Sequence, residues 1–161
     1  MMSSVEEHQR VMLIELNELN FDIVRRYLKN GATLPNFKKM LKLGYLRTSA
    51  EQEYDLLEPW IQWPSIHTGK SYHEHGIFRL GDIVNTTHTQ IFEAIEERGY
   101  KVGCISAMNA SNKLRSPAFF IPDPWTHARP NKKNIADYFF AIAIRRLVND
   151  NSKSRLPLVG V

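Results

Sequence analysis

Two short apolar runs constrain the fold of this chain more than any other feature. Val11, Met12, Leu13 and Ile14 form an unbroken run, and residues 101–106 carry Val102, Cys104 and Ile105. Each reads as a buried strand of a parallel sheet, because strands covered on both faces lose the polar alternation of half-exposed ones. Helical patterns separate them. Asn20 is placed to cap a helix from Phe21 to about Asn30, with Ile23, Val24, Tyr27 and Leu28 inward and Gly31 as the stop. Thr33 or Asn36 opens a second helix carrying Phe37, Met40 and Leu41, stopped at Gly44. Residues 45–49 alternate like a short strand, and residues 91–98 form a helix ended by Gly99. Strands alternating with helices predict an α/β fold, a mainly parallel sheet flanked by helices.

Other segments read as connections. Residues 51–63 form a long acidic and aromatic loop of the kind that binds ligands. Pro64 suits the first turn of a short helix over residues 63–69. Residues 109–131 are irregular and punctuated by Pro117, Pro122, Pro124 and Pro130. Residues 135–148 form a strongly apolar helix whose Tyr138, Phe139 and Phe140 read as core. The width of its apolar face predicts self-association. Residues 1–10 read as a flexible start and 149–161 as a loose tail, leaving residues 11–148 as the folded body. With 161 residues, 43% hydrophobic and 24% charged, the chain suits one domain with one core.

Charge and cysteine usage exclude several classes. The net charge of +4 comes from scattered basic residues with no basic stripe, which argues against nucleic-acid binding. A small anionic substrate such as a phosphate or sulfate ester suits this balance, as do many other partners. The single Cys104 rules out an intramolecular disulfide and a cysteine metal cluster. No apolar run approaches the roughly 18 residues of a membrane span, and residues 1–10 lack a signal-peptide core, so a cytoplasmic location with no membrane contact is expected.

Three constellations can carry chemistry. Glu15, Asn17 and Glu18 follow the first apolar run, where ligands bind in parallel sheets, and their oxygens can hold a divalent metal. The bland alternative is that they solvate a strand end or cap the next helix. Ser65, close to His67, invites a nucleophile-and-base pair, though neighbours in sequence do not make a triad. The alternative is a helix cap with a packed histidine. His67, His73 and His75 suggest metal, but Gly69 interrupts any helical pairing, and His75-Gly76 suits a tight turn. Finally, Asp123 and Trp125 sit on a proline-stiffened segment that either presents them to a ligand or covers the core edge.

Taken in order, these pieces resemble the amino-terminal half of the alkaline phosphatase superfamily, which includes type I phosphodiesterases and nucleotide pyrophosphatases, sulfatases and cofactor-independent phosphoglycerate mutases. The resemblance runs from about Val11 to about Trp125. It rests on Val11-Met12-Leu13-Ile14-Glu15-Leu16-Asn17, on Leu34-Pro35-Asn36-Phe37 with Gly44, and on Ser65-Ile66-His67-Thr68-Gly69 followed by His75-Gly76-Ile77. It implies an alkaline-phosphatase-like fold, incomplete in this chain, and metal-dependent hydrolysis of phosphate or sulfate esters. It also implies a divalent metal, zinc or manganese, for which Asn17 and Glu18 are the ligand candidates; Ser65, the hydroxyl nearest the nucleophile position, is the catalytic candidate, although the family uses its position for packing and capping. Three departures stand against activity. The family's metal-binding aspartate falls on Asn17, its nucleophile position falls on Pro59, and its aspartate-histidine-glycine motif does not occur. A non-catalytic binding relative is therefore the alternative. A third reading is an interaction domain that docks a partner through Tyr54, Trp60 and Trp63.

Overall fold

A computed structural model describes residues 10–131 and 134–149. Among them are six α-helices, two 3-10 turns and one two-stranded parallel sheet, a mixed α/β arrangement. The chain divides into two compact units, the first running to Arg47 and the second starting at Thr48. The expected flexible start falls mostly, and the expected loose tail almost wholly, outside the described residues.

The first unit holds helices α1 (Phe21–Lys29) and α2 (Pro35–Lys42). Asn20 caps α1 as its residue type predicts: its side chain accepts from the Asp22 and Ile23 amides at 2.8 and 3.2 Å. At the other end Gly31 takes a left-handed conformation, its amide reaches the Leu28 carbonyl, and the Ala32 amide reaches Tyr27. This pair of bonds satisfies carbonyls that the helix end would leave open. Only Val24 of α1 is buried; Ile23 and Tyr27 are exposed, against expectation. Helix α2 starts at Pro35, earlier than Asn36, with proline at the first turn and no side-chain cap.

The expected strand at residues 11–14 does not form. Val11, Met12, Leu13 and Ile14 are extended coil, 62–87% exposed. An apolar run becomes a strand only where a second strand takes up its N–H and C=O groups, and among the described residues the sheet contains no partner for it. Residues 45–49 likewise form no strand and are exposed.

The second unit is built on β1 (Gly103–Ile105) and β2 (Phe119–Ile121), paired in parallel with Gly103 opposite Phe119 and Ile105 opposite Ile121. Strand β1 lies inside the expected 101–106 span. Strand β2 lies in the proline-punctuated stretch read as irregular. The Phe119 ring covers Gly103 closely enough that a Cβ there would collide with it. Phe92 from helix α5 (Ile91–Glu97), Val102, Cys104, Ala107, Ala110, Phe120 and Ala128 form the core around the sheet.

Residues 51–63, read as a loop, contain a 3-10 turn at Tyr54–Leu56 and the first half of helix α3 (Pro59–Thr68). Pro59, not Pro64, takes the first turn, and Pro64 sits inside the helix. A proline there cannot donate to the carbonyl four residues back. That orphan, the Trp60 carbonyl, accepts from Asn109 Nδ2 at 2.7 Å. Trp60 and Trp63 are thus half-buried helix residues rather than loop residues.

Helix α6 (Ile135–Asn149) leans on β2 through Asp137 and Ala141, one turn apart and both buried. Asp137 Oδ2 accepts from the Phe120 amide at 2.9 Å, satisfying a strand N–H. Turning that face inward turns Tyr138, Phe139 and Phe140 outward: they are 54, 62 and 58% exposed, so the expected aromatic core stripe is a surface.

Candidate functional site

Helix α3 ends at Gly69, and a capping box then starts the short helix α4 (Tyr72–His75). Ser71 is its N-cap, and Glu74 accepts from the Ser71 amide at 2.8 Å. Those bonds lower the Glu74 pKa. Glu51 adds another carboxylate contact, accepting from the Tyr72 amide at 2.7 Å. The turn brings His75 back onto α3, where its Nε2 lies 2.9 Å from Ser65 Oγ.

Ser65 and His67 do not form a nucleophile-and-base pair, and of the two readings the packed histidine is the one the structure shows. Two residues apart on a helix, they point to different sides. His67 is buried, stacked on Trp63 with ring centres 5.8 Å apart and set against Phe92 at 5.2 Å. The partner of Ser65 is His75, ten residues on. The roles within that pair follow from the other imidazole nitrogen. His75 Nδ1 accepts from the Ile77 amide at 2.9 Å, so in the neutral ring the proton resides on Nε2. Nε2–H therefore donates to Ser65 Oγ, and the hydroxyl in turn faces the Ile61 carbonyl at 3.4 Å. A general base must present a lone pair to the nucleophile's proton, and here the lone pair is engaged by the backbone. Burial first, and the nearby His88 second, lower the His75 pKa, which favours this neutral form.

His88 extends the arrangement. Its Nε2 is 3.0 Å from the His75 carbonyl, and its Nδ1 is 3.2 Å from Lys70 Nζ. An ammonium only donates, so Nδ1 accepts and Nε2–H donates. Lys113 Nζ donates to the His88 carbonyl at 2.8 Å. Beside it, Gln90 bonds Ser111 through both side-chain groups and shares a capping box with Glu93. Burial raises the Glu93 pKa and lowers that of Lys113. An open cleft of about 710 Å³ runs between residues 66–70 and residues 87–91.

Asn17 and Glu18 form an exposed turn in the first unit, with Glu18 in a left-handed conformation at φ 58°. One carboxylate and one amide side by side fall short of the three or four ligands a zinc site takes. Among the described residues no group of three or more histidine, cysteine, aspartate or glutamate side chains is placed to hold a metal. His73 faces Glu53 at 3.6 Å with both exposed, a surface pair worth little. Of the two readings of Asp123, ligand contact or packing, the structure favours the second: Asp123 is 1% exposed and accepts from the Asn109, Trp125 and Thr126 amides, so it holds a turn.

The described helices include none long and apolar enough to cross a membrane. No protein-family model, no curated protein and no solved structure matches the chain.

Proposed function

We propose that this chain recognises phosphate or sulfate esters as a binding relative within the alkaline phosphatase superfamily, without hydrolysing them. One observation carries the reading: the hydrogen on His75 Nε2 points at Ser65 Oγ, so the serine has a donor where a nucleophile needs an acceptor. The mild positive charge and the Ser65-to-Ile77 motif order support ester recognition. The metal-dependent hydrolase itself is the second reading, favoured by the polar turn at Asn17 and Glu18. It requires metal ligands beyond those two and a hydroxyl freed from His75.

The test is an assay of the purified chain on nitrophenyl phosphate, bis-nitrophenyl phosphate and nitrophenyl sulfate with added zinc, magnesium or manganese, beside Ser65→Ala. We expect no turnover in either protein, with the nitrophenyl esters still bound. Turnover in the parent that disappears in Ser65→Ala would establish the hydrolase reading instead.

A further inference from the structure

The cleft beside Gly69 has one side formed by the end of α3 and Lys70, the other by residues 87–91. Lys70 Nζ donates to His88 Nδ1 at 3.2 Å. An ammonium carries three donors, and this bond uses one. Among the described residues, no carboxylate makes an ion pair with Lys70. Thr87 and Thr89 flank His88 on the opposite wall, with exposed side chains. Thr68 also lines the cleft, but its hydroxyl donates to the Pro64 carbonyl at 2.6 Å and offers no proton to a ligand.

We infer that this cleft is an oxyanion subsite, in which the Lys70 ammonium and the Thr87 and Thr89 hydroxyls take the phosphate or sulfate group of a ligand. The inference rests on the ester-binding reading for its ligand class, although the cleft geometry does not depend on it. Charge around the site is mixed. Lys113 stands behind His88 and donates to its carbonyl, while Glu93 sits near Lys113 and Glu74 near Lys70. Burial disfavours the Glu93 anion, which lessens repulsion of an incoming negative charge, and also disfavours the Lys113 cation, so the attraction is assigned to Lys70. The neutral His88 tautomer directs its lone pair at Lys70 and thereby orients the ammonium rather than competing with it for the ligand.

The experiment is an NMR titration of the full 161-residue chain with inorganic phosphate, with sulfate and with nitrophenyl phosphate, at constant chloride. Backbone signals of Gly69, Lys70, Thr87 and Thr89 should shift in a saturable way. Lys70→Gln should weaken phosphate binding roughly tenfold or more, and Thr87→Val/Thr89→Val should weaken it severalfold, while Lys70→Arg retains most of it. Retained chemical-shift dispersion in these variants shows that folding is intact. Phosphate binding that is unchanged in Lys70→Gln, or shifts confined to other surfaces, overturns the subsite. Binding of inorganic phosphate at Lys70 with no binding of nitrophenyl phosphate supports the subsite and removes the ester reading. Ester binding indifferent to Lys70 does the reverse.

Discussion

The two units are held together by different means. In the first, residues 10–47 combine short-range helix signals, the Asn20 cap and the Gly31 stop, with exposed contacts: the Asp22 carboxylate accepts from Arg25 at 2.8 Å and Arg47 at 3.1 Å, and Phe21 meets Phe37 edge-on. Of α1 and α2 together only Val24 is buried. In the second unit, order comes from polar groups that reach far along the chain into buried positions. Asn109, fully buried with φ 50°, donates to the Trp60 and Arg79 carbonyls, accepts from the Gly81 amide, and is itself fixed by Asp123. A short-range helix signal sets where a helix begins and ends, whereas a buried hydrogen bond sets what the helix lies against. The cost of leaving such a group unpaired is what makes the second kind of order specific.

The largest expected effect tests that contrast at its centre. Asn109→Ala strips partners from the Trp60 and Arg79 carbonyls and the Gly81 amide, and places alanine at a positive φ. The second unit should lose about 3–4 kcal/mol of stability, read as a lowered urea midpoint of near-ultraviolet circular dichroism. A change under about 1 kcal/mol would mean that water replaces the side chain and that the long-range tie is dispensable. Asn20→Ala probes the other unit. Loss of the cap should cost about 1 kcal/mol, seen as faster amide exchange across α1 and no shift of the second unit's midpoint. An equal loss in both units would break the comparison.

The mildest perturbation is a proton. Because the folded His75 pKa lies below its ordinary value, the unfolded chain binds a proton that the folded chain refuses in the interval between the two. The contribution is fully present above the ordinary imidazole value, near 6.5, and is lost as pH falls through the folded one. Glu51 and Glu74 oppose the shift, and His88 and Lys70 reinforce it. The second unit's urea midpoint should therefore drop below about pH 6.5, and His75→Gln should flatten that dependence. A slope unaltered in the variant would assign the acid sensitivity to another group.

Features that act over one or two turns were legible in the sequence. Asn20, Gly31 and Gly99 end helices where their residue types require, and residues 101–106 contain a strand. The features that failed all needed knowledge of a distant partner. The run at residues 11–14 has the composition of a strand, but a strand exists only as half of a pair. Strand β2 was hidden among prolines because its ladder is supplied by β1, across the 105–119 gap. Pro59 and Pro64 both suit a first turn; the earlier start prevails because Asn109 supplies what Pro64 removes. The aromatic run on α6 resembled a core, yet the buried Asp137, an unremarkable acid in sequence, orients the helix. At the candidate site Ser65 and a packed His67 are legible, but the partner of Ser65 is not, since the α3–α4 turn that delivers His75 is a tertiary fact. Lys70 and His88, which shape the cleft, carry no motif. Their only sequence signal is proximity to Gly69 and to a run of threonines.

The Asn109-to-Trp60 bond joins residues 49 apart. Closing a loop of that length costs chain entropy that only a nearly assembled structure repays. The tertiary partner of the Trp60 carbonyl, in the first turn of α3, is therefore not in place while the ribosome has released only the α3 sequence. Until residue 109 emerges, Trp60 carries a carbonyl that Pro64 has stripped of its intrahelical donor, and water must occupy it. Synthesis order thus separates the translation of α3 from the arrival of the amide that satisfies its first turn, an interval set by topology rather than by helix propensity.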